Sequence, residues 1–175
     1  EGRKGNSAMN RDAALAAVVL AAPAVPLAPD NRRVLVAAPD YLHRHGRPST
    51  LEALREHACL LYVLAGRPYD RWQFEGDGRR QTVPVRGAML CDDADVVRRW
   101  AVAGEGIAYK SWLDVCADVQ AGRLEVLLPA YGDRLPLQLV CPHRKQFSPA
   151  VRQLHADFAQ RCQALTALLP GLPAS

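Results

Sequence analysis

The chain has 175 residues and a mass of 19.2 kDa, the length of one domain or of two small lobes that share segments. Apolar residues make up 49% and charged residues 23%, the balance of a globular protein and not of a disordered one. The net charge of +4 is too small and too evenly spread to argue for nucleic-acid binding by these residues alone.

The basic side chains are almost all arginine beside abundant alanine, which reads as coding bias and not as an arginine-rich surface. The five cysteines, Cys59, Cys91, Cys116, Cys141 and Cys162, are widely spaced, with no Cys-x-x-Cys and no Cys/His pair at ligand spacing. That excludes a recognisable zinc motif and a dense disulfide framework, and fits buried free thiols in a reducing cytoplasm.

Residues 1–12 are polar and carry Arg3, Lys4 and Arg11; residues 13–28 are apolar but broken by Pro23 and Pro26. The run is too short and interrupted to span a membrane. It has the outline of a secretory signal, with small residues at Ala22 and Ala24, or else of an Ala-rich helix at a domain edge.

From residue 33 the periodicity is readable. Arg33 to Ala38 is a continuous apolar run of the buried-strand kind, stopped by Pro39 and followed by a short helix through Tyr41 and Leu42. Ser49 and Glu52 form a capping-box pattern for a helix to about His57, and residues 59–63 read as a strand. Two alternating runs, 71–75 and 81–85, flank Gly76-Asp77-Gly78 and predict a hairpin with Pro84 on an edge.

Residues 87–91 predict a strand, after which Asp92 or Asp93 caps a helix with Val96, Val97, Trp100, Ala101 and Ala103 on its apolar face, ended by Gly104. Ile107 to Tyr109 is a short strand, Ser111 caps a helix to Gly122, and 124–128 and 135–141 are strands. Ser148-Pro149 opens a last helix whose Val151, Leu154, Phe158, Cys162, Leu165 and Leu169 share one face until Pro170. Trp100 reads as core, whereas Trp72 and Trp112 lie near predicted loops and are candidates to line a cleft.

Little here suggests catalysis: there is no nucleophile elbow, phosphate loop or His-Glu-x-x-His. Gly104-Glu105-Gly106 follows a helix and precedes a strand, the reverse of a dinucleotide loop. His43 and His45 point apart on a helix, and Asp92, Asp93 and Asp95 read as helix-capping carboxylates. No metal, no cofactor and no enzyme activity are expected.

The string NRRVLVAAPDYLHRHGRPSTLEALREHACL (31–60), continued by RWQFEGDGRRQTVPVRGAMLCDDADVVRRWAVAGEGIAYKSWLDV, GRLEVLLPAY and LPLQLVCPHRKQFSPAVRQLHADF, resembles the effector-binding domain of LysR-type transcriptional regulators. The likeness runs over about 27–163 and looks like the branch with aromatic and related effectors. It implies an α/β, periplasmic-binding-protein-like fold: one Rossmann-like lobe with a mixed sheet, and a truncated second lobe. The Rossmann-like lobe, lobe II, would occupy about 38–141 within a domain of 29–170, after an unmatched 1–28 and before a tail of 171–175. The final helix, about 148–169, would pack back on the other lobe.

By the same resemblance, 33–39 and 135–142 would be the outgoing and returning hinge strands, with Ala38, Pro39, Val140 and Cys141 at the hinge. Effector contacts would fall at Cys91, Asp92, Asp93 and Ala94, and at Gly106, Ile107 and Tyr109. Free N–H groups at the helix start would suit a carboxylate or other polar effector group, although two aspartates argue against a purely anionic one. The effector implied is a small molecule, aromatic or carboxylate-bearing. The family's helix-turn-helix and most of its first lobe have no match here, which implies a fragment or a reading-frame change upstream of about Leu27. The reading is a cytoplasmic sensing domain, dimeric or tetrameric in its family, touching DNA only through a helix-turn-helix outside this chain and no membrane. The alternative is an exported, periplasmic solute-binding protein with residues 1–24 as signal peptide.

Overall fold

The structure is a computed structural model that describes residues 24–76, 78–141 and 148–170. Its chain divides into two compact units. The larger comprises Asp30–Leu135 with Ala164–Ser175, and the smaller Glu1–Pro29 with Pro136–Gln163.

The larger unit is built on a mixed sheet. Its elements are strand β2 (Arg32–Ala37), helix α1 (Pro39–His45), a 3-10 turn (Glu52–Glu56), β3 (Cys59–Leu64), β4 (Arg67–Pro68) and the hairpin β5 (Arg71–Gly76) and β6 (Arg79–Pro84). There follow β7 (Gly87–Cys91), α2 (Ala94–Val102), β8 (Ile107–Ser111), α3 (Trp112–Gln120), β9 (Glu125–Leu127) and β10 (Asp133–Arg134). Strands β7 and β8 lie parallel to β3, one on each side, while β2 runs antiparallel to both β8 and β9.

Alternation along the central strands sends side chains into two separate cores. Leu35, Ala37, Cys59, Leu61, Ile107 and Tyr109 face the layer of α1, the 3-10 turn and the hairpin, where Tyr41, Leu54, Trp72 and Phe74 fill the space. Val34, Val36, Leu60 and Ala108 face α2 and α3, against Val97, Ala101, Trp112, Val115 and Cys116. Both faces of the sheet are therefore covered, which is why its strands read as continuous apolar runs.

The smaller unit holds β1 (Ala24–Ala28), paired antiparallel with β11 (Leu137–Val140) from Ala24↔Val140 to Ala28↔Leu137, and most of helix α4 (Pro149–Thr166). Ser148 starts α4, its Oγ accepting the Val151 N–H at 3.3 Å. His155 joins α4 to β1 by a 2.8 Å hydrogen bond with the Pro26 carbonyl.

Several expectations are corrected. Residues 24–28 form a strand and not a helix, since β11 satisfies their backbone groups; the remainder of the proposed leader lies outside the described residues, as does Asp77 of the hairpin turn. The Ser49 capping box does not form: Thr50 Oγ1 accepts the Ala53 N–H and the turn is 3-10. Ser111 stands at the N-cap of α3 without capping it, because its hydroxyl bonds Asn31 instead.

Trp72 and Trp112 line no cleft; both are 1% exposed. Their indole N–H groups are bonded to the carbonyls of Tyr69 and Leu165. Trp100, expected in the core, is only half-buried against it. On α4 no described residue is buried, and Leu154 remains 49% exposed.

The strand that pairs with 137–140 is 24–28, not 33–39. Residues 32–37 are bonded on both sides inside the larger sheet, and Ala38 and Pro39 are the N-cap and first residue of α1. Val140 does end β11, opposite Ala24, and Cys141 is buried beside it in the sequence.

Candidate functional site

The chain leaves β3 on one side, forms the hairpin and returns as β7, and α2 then carries it across to β8 on the other side. The carboxyl ends of β7, β3 and β8 thus flank a switch in strand order, the place where open α/β sheets leave a crevice for ligands. The end of β7 and the start of α2 supply Cys91, Asp92, Asp93 and Ala94 there; the cysteine is half-buried and the other three are exposed.

The helix start is already occupied. Asp93 Oδ1 accepts the N–H groups of Asp95 (2.8 Å) and Val96 (3.3 Å), and the Asp93 N–H rests on Cys91 Sγ at 3.4 Å. The expectation of free amide donors for an effector carboxylate is therefore cut back: Asp93 itself takes two of them, those of Asp95 and Val96. What this edge offers is carboxylate oxygen, from Asp92 and from the second oxygen of Asp93, and so favours groups that donate hydrogen bonds.

Gly106 and Ile107 are not brought to this edge, whereas Tyr109 comes within one residue of the level of Cys91 but turns its side chain into the core. Ile107 lies level with Cys59 and Gly87 at the start of the strands, whereas Cys91 pairs with Tyr62, three residues or roughly 10 Å further along. Gly106 is required there because a Cβ would collide with the Ala58 carbonyl oxygen. Tyr109 is buried in the core, its hydroxyl donating to the Gln73 carbonyl at 2.6 Å, and burial pushes its phenol well above the ordinary range.

Two residues not singled out from sequence shape this edge. Lys110, on β8, is 6% exposed; its Nζ donates to the Ala94 carbonyl at 2.7 Å and pairs with Asp114. It pins the first residue of α2 to the sheet. Asn31, 3% exposed, donates through Nδ2 to Ser111 Oγ (3.0 Å) and the Leu135 carbonyl (2.8 Å). Its Oδ1 accepts from Ser111 Oγ and from the Leu113 N–H at 3.3 Å, so Asn31 caps α3 from a distant part of the chain. Since the Leu135 N–H donates to the Asn31 carbonyl (2.8 Å), the chain enters and leaves the larger unit at one tied point.

The thiols offer little reactivity in the core: burial pushes Cys59 up to about 12 and raises Cys116 as well. Among the described residues no group of three or more His, Cys, Asp or Glu is placed to hold a metal ion.

A mixed sheet covered on both faces, with an exposed polar edge at a strand-order switch, is the fold of a periplasmic-binding-protein-like domain. The chain belongs to the LysR substrate-binding domain family, whose model matches residues 13–163; it is the effector-binding type of domain of LysR-type transcriptional regulators. The match begins at residue 13, so it includes part of the segment 1–28 that the resemblance leaves unmatched.

It is 32% identical over 122 residues to the HTH-type transcriptional regulator DmlR of Escherichia coli K12, covering 70% of this chain and 40% of that one. It is 31% identical over 102 residues to the HTH-type transcriptional activator TtdR of the same strain, covering 58% and 33%. The chain thus spans well under half the length of these curated relatives.

In structure it is similar to the regulatory domain of CrgA, a LysR-type transcriptional regulator from Neisseria meningitidis. There the TM-score is 0.66 at 21% identity, over 92% of this chain and 72% of that one. The regulatory domain of AphB from Vibrio vulnificus, treated with cumene hydroperoxide, gives a TM-score of 0.64 at 23% identity, over 79% and 68%. Relatives that are transcriptional regulators favour the regulator over the exported solute-binding alternative. No helix among the described residues is long and apolar enough to cross a membrane.

Proposed function

We propose that residues 30–135 are the sensing lobe of a cytoplasmic LysR-type regulator, and that its effector meets Cys91, Asp92, Asp93 and Ala94 at the start of α2. The observation that carries this is a family match over 13–163 together with an exposed polar edge at the strand-order switch. The effector is a small molecule that turns hydroxyl or amino hydrogens toward Asp92 and Asp93, whatever the rest of it carries. The hinge lies where the chain crosses at 29–30 and 135–136, beside the tied Asn31 and Leu135 and the paired β1 and β11. Binding would shift a homo-oligomer only through different affinity for two arrangements of the protein. DNA reading belongs to the helix-turn-helix of the whole regulator, and the chain performs no chemistry on its ligand.

The test is an amide NMR titration of the chain with a panel of small polyols, phenols, amines and carboxylates. The reading expects at least one donor-rich compound to move the amides of 91–94, and Asp92→Asn to weaken it at least fivefold without moving the unfolding midpoint. A panel that moves no amide of 91–94 would reject the site. Sequencing the gene upstream of Glu1 tests the regulator: a continuous frame encoding a helix-turn-helix is expected, and a signal peptide there would overturn it.

A further inference from the structure

A second concavity lies in the same unit at the opposite ends of the strands. Arg55, Glu56, His57 and Ala58, at the end of the 3-10 turn, face Pro84, Val85 and Arg86, which link β6 to β7, across a cavity of about 780 Å³. This volume is within the roughly 300–1,000 Å³ typical of small-molecule sites. Its position is set by backbone bonds: the Cys59 N–H donates to the Arg86 carbonyl, and the Ile107 N–H to the Ala58 carbonyl. The edge formed by Cys91 and Asp93 is at the far end of β7, so the two places are distinct.

The polar groups here are donors. Neither Arg55 nor Arg86 has an ion-pair partner among the described residues, and Glu56 is the one carboxylate of the lining. The orientation of His57 follows from hydrogen-bond accounting. Tyr41 Oη accepts the Ala58 N–H at 3.0 Å and is hydrogen-bonded to His57 Nδ1, 3.1 Å away. When Tyr41 donates in that bond, a neutral His57 carries its proton on Nε2, the nitrogen not engaged by Tyr41, as a third donor. Burial holds the ring below its ordinary pKa, which favours that neutral form. Ala58, Pro84 and Val85 supply an apolar wall beside these donors.

We infer that this groove is a second ligand site, taking a small organic anion whose carboxylate or phosphate meets Arg55, Arg86 and His57 while its hydrocarbon lies on Ala58, Pro84 and Val85. Guanidinium groups suit both oxyanions, which they bind through paired N–H donors. An effector that donates hydrogen bonds to Asp92 and an anion that accepts them here would present opposite hydrogen-bonding chemistry, so one chain would read two kinds of ligand.

The experiment titrates the full 175-residue chain with hexanoate, phenyl phosphate and inorganic phosphate, followed by amide and arginine side-chain NMR. Hexanoate or phenyl phosphate is expected to move His57, Ala58, Val85 and Arg86 together, and to leave 91–94 in place. Whichever of the two binds tighter decides between a carboxylate and a phosphate ester. The paired variant Arg55→Gln/Arg86→Gln, on exposed side chains, should weaken that binding at least tenfold at an unchanged unfolding midpoint. The proposal is overturned if neither organic anion moves these residues, if the paired variant binds as before, or if inorganic phosphate binds as tightly as both. Shifts confined to 91–94 would overturn it while supporting the effector edge, so the two readings fail separately.

Discussion

Asn31 satisfies both ends of its amide without water, and each bond reaches a different part of the larger unit: Ser111, Leu113 and Leu135. Truncating it leaves the Leu113 N–H and the Leu135 carbonyl without these partners, so Asn31→Ala is expected to cost about 2–3 kcal/mol by denaturant unfolding. Asp93→Ala removes a helix cap and should cost about 1 kcal/mol, whereas Asp92→Asn should leave the midpoint within about 0.5 kcal/mol. Capping by Asp93 was legible because an acid followed by an amphipathic run is a local signal. Asn31 was not, because its partners lie 80 to 104 residues away. Lys110 had only a faint mark, a cation at the end of an apolar strand with Asp114 one helical turn later. Gly106 and Ile107 misled for a different reason: a family resemblance places residues in order along the chain, and strand direction decides at which edge they emerge, while Tyr109 comes near the edge with its side chain on the core face.

Helices α2 and α3 are joined by charge as well as by apolar packing. Asp118 is 2% exposed, accepting from Arg98 on α2 (2.8 Å) and from Arg123 just after α3 (2.8 Å). In sequence it looks like any exposed helix acid, and only the packing of α3 turns it inward. Helix α4 shows the opposite. Its three- and four-residue spacing of apolar residues was readable, yet no described residue buries Leu154 or Phe158. Leu154→Ala should therefore move the unfolding free energy of this chain by less than about 1 kcal/mol, not by the roughly 2–5 kcal/mol of a core leucine. A larger loss would mean that the leucine is buried in solution. The end of the same helix differs, because the Leu165 carbonyl receives the buried Trp112 indole N–H at 2.7 Å.

For the whole molecule, His57 and Asp118 are two of the groups that set the acid side of stability, beside the more exposed Glu75 and Asp95. Burial holds His57 below its ordinary value of 6.5. For Asp118 burial acts against the charge, but hydrogen bonds from Arg98 and Arg123 outweigh it and hold the carboxyl below 3.8. A folded-state pKa below the unfolded one contributes stability that is complete above the unfolded value and lost as pH falls through the folded one. Denaturant midpoints should thus be flat from pH 8 to 7, decline below about 6.5 with His57, and decline again below about 3.8 with Asp118. His57→Gln should remove the first decline, and Asp118→Asn should shrink the second while lowering the midpoint at neutral pH. The central sheet, its two cores and the hairpin were legible as apolar runs and alternation; the strand pairing that joins 24–28 to 137–140 was not, since neither short run announces its partner.

The two-way bond between Asn31 and Leu135 has an engineering consequence. Ends held that close let residues 30–135 be spliced into a surface loop of a host protein through short Gly-Ser joints, with little entropy lost on closure. Such a graft forfeits the Leu165 carbonyl, so it should carry Trp112→Phe to avoid stranding an indole proton inside the transplant.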